Sequence, residues 1–403
     1  MSGESMKICL VTNLYPPLAF GGATGVAQIE AEELVKRGYN VFVITTSETN
    51  YLTVEWTNGV KVYRLPPYNV YPLYENFVDQ SAHSLSSKIL WHMIDTFNFK
   101  LKNKISRIIL DEKPDVIHFH NFKGLSLLLF RHIRKLGLPI ILTAHDYTLI
   151  CPRANLLRSD GDVCKKRPLI CSFYSTLNKY LVDVDVLISP SDFLIRKLKE
   201  EGFSSDAVRL PNLVEINEES SNSKTYDKLD ILYVGELSRH KGVHILIKAF
   251  NELDNATLTV YGRGPYEQSL KKISNENLNF QGYAKGFDEL KYAYNKANVT
   301  VVPSIWYENS PMVVYESFAH STPVIGSNIG GIPELVIDGY NGFLFEPGDK
   351  DELKRILKNL LEDPSILKEF EKNAYESAKK YTLKEHVDKL ERIYNNLSEE
   401  YHG

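Results

Sequence analysis

The 403-residue chain has no marked excess of charge of either sign. Its 47 Lys and Arg residues are set against 51 Asp and Glu residues, which gives a formal net charge of −4 with neutral histidines. A protein that binds nucleic acid through phosphate contacts carries a basic excess, so we expect no nucleic-acid partner. Hydrophobic residues make up 43% of the chain, which excludes disorder over most of its length. At roughly 100–200 residues per domain, this length predicts two domains.

Long apolar runs are also missing. Segments 125–130 and 138–142 are typical of the longest, whereas a membrane-spanning helix needs about 18 apolar residues. Segment 8–11, near the start, is too short for the core of a signal peptide. These absences predict a cytoplasmic protein.

Cysteine is scarce, with four residues in the chain. So few exclude a disulfide scaffold, and Cys9 lies in an apolar strand pattern where a reduced thiol packs as a small hydrophobic group. Cys151, Cys164 and Cys171 could bind zinc with one more ligand, or two of them could pair, but no Cys-X-X-Cys pair is present. We therefore predict free thiols.

What the chain does contain is an alternation of short apolar strands and helices in both halves. Strands are predicted at residues 8–11, 41–45, 116–119, 140–143 and 186–189, and again at 231–234, 256–261, 299–302 and 322–326. Such strands form parallel sheets covered by helices. The predicted fold class is therefore α/β, with two Rossmann-like domains facing across a cleft. We assign residues 1–210 to the first domain and 211–381 to the second, with a linker from residue 214 and a C-terminal helix, 382–403, packing back on the first domain.

Two stretches of the first domain break this pattern. Residues 65–77 mix prolines with aromatics and predict a surface excursion. Residues 88–107 combine three aromatics with five basic residues, namely Trp91, Phe97 and Phe99 with Lys88, Lys100, Lys102, Lys104 and Arg107. This second stretch is typical either of a solvated helix with one buried face or of a helix that docks on an anionic membrane surface.

In the second domain, candidate site residues follow the strand predicted at 299–302. Glu308 lies in the loop after it and Glu316 lies on the next helix. Ser310 suits the N-cap of that helix and Pro311 its first position. Ligands of open parallel sheets bind beyond the carboxyl ends of strands, so the free N–H groups of the first turn could hold a phosphate. Taken alone, the two glutamates are more typical of solvent-exposed carboxylates.

Other loops of this domain lie at the same edge. Arg239 and Lys241 follow the strand at 231–234 and could neutralise a diphosphate leaving group, although a solvated basic helix start has the same composition. Gly262 and Arg263 repeat the position after the next strand. The glycine pair at 330–331 either lets the backbone approach a ligand or forms a tight turn.

In the first domain, the loop at 13–25 is too long for the compact glycine turn that holds a dinucleotide. This length argues against an NAD-dependent oxidoreductase. His145 and Asp146 follow the strand at 140–143, so the imidazole either faces the cleft or is a buried or capping histidine. Asp183 and Asp185 lead straight into a strand and are interpreted as its start rather than as a metal-binding pair.

Taken together, these motifs resemble a known family. They occur in order at 21–22, 143–146, 191–193, 211–212, 235–242, 262–265, 280–283, 308–316, 330–334 and 338–344. The set is similar to the retaining nucleotide-sugar glycosyltransferases of the GT-B type, family 4, over nearly the whole chain. The resemblance implies a metal-independent transfer of a sugar from a nucleoside-diphosphate sugar, most often a UDP or GDP sugar, to a glycan or lipid-linked acceptor. Such an enzyme would act in polysaccharide or glycolipid synthesis, with the donor in the second domain and the acceptor in the first.

The same resemblance assigns roles to residues. It implies catalytic roles for His145, Glu308, Lys241 and Arg239. The donor would contact Gly21, Gly22, Gly262, Arg263, Tyr283, Asn309, Ser310, Pro311, Met312, Val313 and Glu316, and the acceptor would contact His120, Asp146 and Ser191. No cofactor and no metal site is implied. Where the family usually has an arginine this chain has Glu236, and Arg239 is the obvious substitute because a guanidinium pairs well with phosphate.

Three alternatives stay open at this stage. The protein could be a catalytically silent sugar-nucleotide or glycan-binding protein, or an NAD-dependent oxidoreductase. It could also bind peripherally at the inner face of a membrane through residues 88–107. A basic segment around Arg153, Arg158 and Arg167, with Lys165 and Lys166, either meets an anionic acceptor such as a lipid-linked phosphate or is a solvated loop.

Overall fold

The structure is a computed structural model that describes residues 5–18, 22–75, 83–158, 161–164, 166–216 and 224–402. The first half forms β1 Lys7–Val11, β2 Asn40–Thr46, β3 Thr53–Thr57, β4 Val60–Leu65, β5 Val116–Phe119, β6 Ile140–Thr143, β7 Val186–Ser189 and β8 Asp206–Arg209. These strands make one sheet in the order β3-β4-β2-β1-β5-β6-β7-β8. All neighbours are parallel except β3 and β4.

The second half forms β9 Leu229–Val234, β10 Ala256–Tyr261, β11 Leu278–Gly282, β12 Val299–Val302, β13 Val324–Ser327 and β14 Gly342–Phe345. They make a second parallel sheet in the order β11-β10-β9-β12-β13-β14. Every strand predicted from the sequence is present, to within two residues at either end. The expected α/β class with two Rossmann-like units is confirmed.

Helices connect the strands and cover the sheets, because crossovers between parallel strands need a connection of a dozen or more residues. They are α1 Gly22–Lys36, α2 Leu85–Thr96, α3 Phe99–Glu112, α4 Leu128–Lys135, α5 Leu169–Leu181, α6 Asp192–Glu200, α7 Val243–Phe250, α8 Glu267–Lys271, α9 Phe287–Lys296, α10 Met312–Ala319, α11 Lys350–Glu362, α12 Ser365–Ala378 and α13 Leu383–His402. The three short 3₁₀ turns are Arg239–Lys241, Ile332–Glu334 and Lys379–Tyr381.

The last helix, α13, returns to the first sheet. Its buried residues Val387, Leu390, Tyr394 and Leu397 belong to the same apolar cluster as Ile8, Leu10, Val41 and Val43 of the first sheet. Its amphipathic spacing, with apolar residues three and four apart, explains why one face is buried. Residues on strands β1 and β2 are thus covered by the end of the chain.

Residues 65–77 differ in part from the predicted surface excursion. Tyr71 and Leu73 are buried and pack with Leu14 and Trp91 in a small apolar cluster. The indole N–H of Trp91 donates to the carbonyl oxygen of Tyr71 at 3.0 Å. Aromatic side chains bury large apolar areas, which outweighs the irregular backbone of this segment. Residues 76–82 and the N-terminal four residues lie outside the described part of the chain.

Residues 88–107 form parts of two helices rather than one. Helix α2 ends before Phe97, and α3 starts after Asn98, whose side chain accepts a hydrogen bond from the N–H of Leu101. Trp91 is buried, so it is unavailable to a membrane, whereas Phe97 and Phe99 are exposed. Among the described residues, no helix combines the length and the apolar character needed to cross a bilayer.

Candidate active site

The carboxyl ends of both sheets face a common cavity of about 1640 Å³. The second domain contributes Gly235, Lys241, Glu308 and Glu316 to its wall, and the first contributes His145 among others. Ligands of parallel sheets bind at this edge, which is also where the sequence placed its candidate residues. The cavity is larger than a typical single-ligand site of roughly 300–1,000 Å³, so it has room for two substrates.

An ion pair between a buried carboxylate and a half-buried ammonium group lies in the wall of the second domain. The Lys241 ammonium is 2.7 Å from Oε1 of Glu308. The same oxygen accepts hydrogen bonds from Oγ of Ser304 at 2.7 Å and from Nε1 of Trp306 at 2.9 Å. Burial alone would raise the pKa of the Glu308 carboxyl, but Lys241, Ser304 and Trp306 hold it below its usual value. The site therefore presents an ionised carboxylate paired with an ammonium group.

Local backbone packing brings these two side chains together. Gly242, which follows Lys241, has a φ of 72°, and a Cβ there would lie 1.7 Å from the carbonyl oxygen of Pro303. Only glycine tolerates both that conformation and that approach. Pro303 immediately follows β12, so this contact fixes the 3₁₀ turn at Lys241 against the loop that carries Glu308.

The start of α10 differs from the sequence prediction by one residue. Pro311, with φ −69° and ψ 121°, is the N-cap, and the helix begins at Met312. Ser310 is not the N-cap, because its hydroxyl lies 2.6 Å from the Tyr315 hydroxyl instead. Pro311, Met312 and Val313 all line the cavity, which places the first turn of α10 in its wall.

Glu316 lies further along α10 on the cavity wall. Its Oε2 accepts a hydrogen bond from the hydroxyl of Tyr294 at 2.7 Å. Burial raises the pKa of the Glu316 carboxyl, and the bond from Tyr294 only partly opposes that shift. The interpretation of Glu316 as a solvated helix position is therefore wrong.

Behind the wall of the first domain lies a buried chain of histidines and one carboxylate. Glu30 contacts Nε2 of His386 at 2.9 Å with one oxygen and Nε2 of His120 at 3.2 Å with the other. Nδ1 of His120 is in turn 3.2 Å from Nε2 of His145, which lines the cavity. Burial, with His120 next to it, lowers the pKa of His145 to about 3, so this imidazole is neutral at physiological pH.

The contacts of His386 connect two helices. Its Nδ1 is 2.8 Å from the carbonyl oxygen of Pro211, which can only accept. Its Nε2 faces the Glu30 carboxylate at 2.9 Å. Burial would raise the pKa of Glu30, yet His120 and His386 hold it well below its usual value. Glu30 thus links α1 to α13 through a buried contact.

Metal-ligating side chains among the described residues come together in one group, Glu30, His118 and His120, with ligand atoms within 4.8 Å of one another. Hydrogen bonding already accounts for His118, since its two nitrogens lie 2.7 Å from the hydroxyls of Tyr394 and Thr143. The group is fully buried in the first domain, away from Lys241. Asp183 and Asp185 both pair with Arg134, as the start of a strand would allow.

Several predicted residues join the two domains. The Asn309 amide donates to the carbonyl oxygen of His145 at 2.8 Å, and its oxygen accepts a hydrogen bond from the Ser191 hydroxyl. Within the second domain, near the domain boundary, Asn212 donates to the carbonyl oxygen of Ser310 at 3.1 Å. The side chains of Asn309 and Ser191, assigned to donor and acceptor, are therefore occupied by each other in this structure. Asp146 lines the cavity and accepts a hydrogen bond from the N–H of Thr148 at 2.7 Å.

Other predicted residues lie apart from the cavity. The Arg239 side chain is 57% exposed and its guanidinium is 3.9 Å from Asp162 of the first domain. Arg263 lies over the ring of Tyr283, which is 70% exposed. A Cβ on Gly262 would lie 1.8 Å from the carbonyl oxygen of Gly235, so its smallness serves the packing of two loops. His120 is buried and contacts Glu30 and His145.

The glycine motif at 21–22 is only partly described. Gly21 lies outside the described residues, and Gly22 is the first residue of α1. Cys9, Cys151, Cys164 and Cys171 are free thiols in the structure.

Comparisons with known proteins match this arrangement. The model of the family described as Glycosyltransferase Family 4 matches residues 20–218, and that described as Glycosyl transferases group 1 matches residues 215–401. The chain belongs to glycosyltransferase family 4. It is therefore a glycosyltransferase, and its two facing domains have the GT-B arrangement.

Three similar proteins illustrate the relationship. This glycosyltransferase is 32% identical over 337 residues to an uncharacterized 42.6 kDa protein in the cps region of Klebsiella pneumoniae, covering 82% of this chain and 87% of that one. Its fold is similar to that of a sucrose-phosphate synthase from Thermosynechococcus elongatus, with a TM-score of 0.73, 19% identity and coverage of 97% and 99%. It also resembles Anabaena HepE in complex with UDP-glucose, with a TM-score of 0.67, 16% identity and coverage of 97% and 100%.

The glycosyltransferase also contains contacts between its domains that the sequence did not predict. Glu334, within the glycine motif, accepts hydrogen bonds from the N–H groups of Asp192 at 2.8 Å and Phe193 at 2.6 Å. A carboxylate of the second domain thus caps the first turn of α6 in the first, where the helix dipole favours negative charge. The Gly-Gly-Ile-Pro-Glu sequence at 330–334 is among the motifs identified from the sequence, but a structural role was predicted only for its two glycines.

Proposed function

We propose that this glycosyltransferase moves a sugar from a nucleoside-diphosphate sugar to a glycan or lipid-linked acceptor, with retention of anomeric configuration and without a metal ion. The observation that supports it most strongly is the buried pair of Glu308 and Lys241 at the carboxyl end of the second sheet. A carboxylate and a cation held within one cavity wall match the two charges that develop in sugar transfer, which are positive on the sugar and negative on the leaving diphosphate. The binding of UDP-glucose by the structurally similar HepE is consistent with a UDP sugar as donor.

The chemistry needs two kinds of stabilisation. As the bond between the anomeric carbon and the diphosphate oxygen breaks, the sugar becomes oxocarbenium-like and negative charge grows on the leaving group. Lys241 and the N–H groups at the start of α10 would stabilise the leaving diphosphate. The acceptor hydroxyl attacks the same face of the sugar and its proton passes to the departing phosphate oxygen. Glu308 would bind the hydroxyls of the donor sugar and hold it in place.

The alternatives use the same cavity differently. A silent binding protein would keep nucleotide affinity without turnover, and an oxidoreductase would bind NAD. Isothermal titration with UDP, GDP, ADP, their sugars and NAD, in the presence of a chelator, separates the oxidoreductase from the other two. A transfer assay with the sugar nucleotide that binds separates the enzyme from the silent protein. Binding of a nucleoside diphosphate or its sugar supports the proposal, and binding of NAD alone would overturn it.

Replacing Glu308 with glutamine tests the catalytic assignment. We expect kcat/KM to fall by about 10²–10³-fold, because one preorganised charged contact of the transition state is lost. Donor affinity should change far less. The matched control is Glu371→Gln, another buried carboxylate, which contacts Tyr226 rather than the cavity. An unchanged rate for Glu308→Gln would remove this residue from the site.

Glu316 is proposed to bind the ribose hydroxyls of the donor. For Glu316→Gln we expect the donor KM to rise about tenfold with little change in kcat, since an interaction made equally in ground and transition states is lost. Because burial raises the pKa of Glu316, donor binding by the unsubstituted enzyme should weaken as the pH falls towards that raised value. Calorimetry of UDP binding across pH should show this slope, and the slope should be absent in Glu316→Gln. Tyr294→Phe separates loss of the carboxylate from loss of its hydrogen bond.

A further inference from the structure

The cavity continues beyond Glu308 into the first domain, and its charge changes sign there. Among the described residues that line this part, five side chains are basic and one, Asp146, is acidic. The basic ones are Lys88, Lys123, Arg153, Arg158 and Arg167, of which Arg167 is paired with Glu201. Since opposite charges attract most strongly in a partly enclosed cavity, this wall suits an anionic group of a substrate.

Lys123 is the most enclosed of the five cations. Its ammonium donates to the carbonyl oxygen of Pro152 at 3.0 Å. Its acidic neighbours are Asp95 and Asp146, and burial raises the pKa of Asp95 to about 7 despite Lys123. Burial also lowers the pKa of the Lys123 ammonium, and Asp95 and Asp146 oppose that shift. An anion in the cavity would likewise favour the charged form of Lys123.

The mouth of this part of the cavity is apolar. Helix α2 exposes Ile89, Leu90 and Met93, and helix α5 exposes Leu169, Ile170 and Phe173, with exposed fractions between 46% and 91%. Each triplet has the spacing i, i+1, i+4 and so occupies one face of its helix. Ile89 and Ile170 also line the cavity, which places the two triplets at the same opening. We call these six residues the apolar rim.

Exposed apolar side chains of this size are costly in water unless something covers them. A rim of apolar side chains around a basic wall matches the interface of an anionic bilayer, where apolar groups insert and cations meet phosphates. A soluble glycan has no apolar surface that would cover the rim. The positive charge of the wall and the apolar character of the rim thus both favour an anionic bilayer.

We propose that the apolar rim docks on an anionic lipid bilayer and that the basic wall binds the phosphate of a lipid-linked acceptor. This inference rests on the proposed transferase function and names its acceptor class. The lipid would stay in the membrane while its phosphate and attached sugar or hydroxyl reach the anomeric carbon of the donor. In the sequence analysis, residues 88–107 were considered alone as a membrane-binding stretch. They contribute only one side of the docking surface proposed here.

Sedimentation with vesicles tests the docking. The full-length protein is mixed with phosphatidylcholine vesicles with and without phosphatidylglycerol, at low and high salt. We expect binding that needs phosphatidylglycerol and weakens with salt. The variant Met93→Ser/Ile170→Ser/Phe173→Ser should lose at least tenfold in partitioning. The matched control, Trp56→Ser/Tyr292→Ser, removes two equally exposed aromatics from other surfaces and should bind vesicles normally.

The basic wall is tested separately. Arg153→Gln should reduce vesicle partitioning about fivefold at low salt, the effect expected for one cation near an anionic surface. Calorimetry with inorganic pyrophosphate, with the donor site at Lys241 saturated by the preferred nucleoside diphosphate, distinguishes a membrane phosphate from a soluble one. Binding of pyrophosphate by a protein that ignores vesicles would overturn the lipid source in favour of a soluble phosphorylated acceptor.

Nucleotide binding keeps this test independent of the proposed function. The rim variant should bind UDP or the preferred nucleotide as the unsubstituted protein does. If nucleotide binds and vesicles do not, the docking inference fails while the transferase proposal stands. If vesicles bind and no nucleotide of the panel does, the transferase proposal fails instead.

Discussion

Replacing Lys241 with methionine is expected to lower kcat/KM about a thousandfold. The ammonium group is the cation closest to Glu308, at 2.7 Å, and in the proposed mechanism it stabilises the leaving diphosphate. The same change leaves the Glu308 carboxylate buried without its partner, which should lower the free energy of unfolding by about 3 kcal/mol. Steady-state transfer assays and chemical denaturation measure the two effects. Lys248→Met, an exposed lysine on α7, is the control for loss of charge alone.

A double variant separates the two effects of Lys241. In Lys241→Met/Glu308→Gln the unpaired charge is removed, so most of the lost stability should return, while activity should stay low. The sign of the pH dependence follows from Glu308. Its pKa is lowered in the folded protein, so the pair stabilises above pH 4.5 and this contribution fades as the pH falls through the folded value. A double variant as unstable as Lys241→Met would contradict the ion-pair explanation.

Glu30→Gln is expected to have the second largest effect, and mainly on stability. The carboxylate is 1% exposed and contacts Nε2 of His386 and of His120, so the amide removes the buried negative charge that these two imidazoles surround. We expect the free energy of unfolding at neutral pH to fall by about 3–5 kcal/mol. A thermal midpoint lower by on the order of 10 °C should accompany it.

The pH dependence identifies the cause. Because the pKa of Glu30 is lowered in the folded state, its contribution is complete above pH 4.5 and is lost as the pH falls through the folded value. The difference between Glu30→Gln and the unsubstituted protein should therefore shrink in acid. Glu33→Gln, on the same helix but paired with Arg37 at the surface, should change the midpoint little. Equal midpoints for Glu30→Gln and Glu33→Gln at neutral pH would rule out this contribution of the Glu30 carboxylate.

The central parallel strands were predictable because they are continuous apolar runs, whereas β3, β4, β8, β11 and β14 were not predicted. The hairpin of β3 and β4 was missed although Asn58 and Gly59, with φ of 49° and 82°, form the dipeptide that favours a tight hairpin turn. Trp56 and Val54 face solvent on the edge strand, so no buried run marked it. Local patterns thus located the elements that are buried on both faces and overlooked the exposed edge.

Site residues were predictable as positions but not as pairs. Glu308 and Lys241 were expected at one sheet edge, yet their separate roles gave no hint of a direct contact 67 residues apart in the chain. No role was predicted for Glu30 of α1, because its partners His120 and His386 come from distant elements. Arg239 was expected at the diphosphate on its residue type, whereas the 3₁₀ turn points it towards Asp162. Such pairings depend on the packing of whole domains.

The chain crosses between the domains twice, and the two crossings touch. Val214, just after the first crossing, forms a parallel bridge with Thr382, at the second, and the N–H of Val214 donates to the carbonyl oxygen of Tyr381 at 2.8 Å. Two adjacent crossings permit the domains to rotate about the single axis that passes through both. They restrict rotation about any other axis. Each opening and closing of the cleft would therefore bring Asn309 and Glu334 back to the same partners.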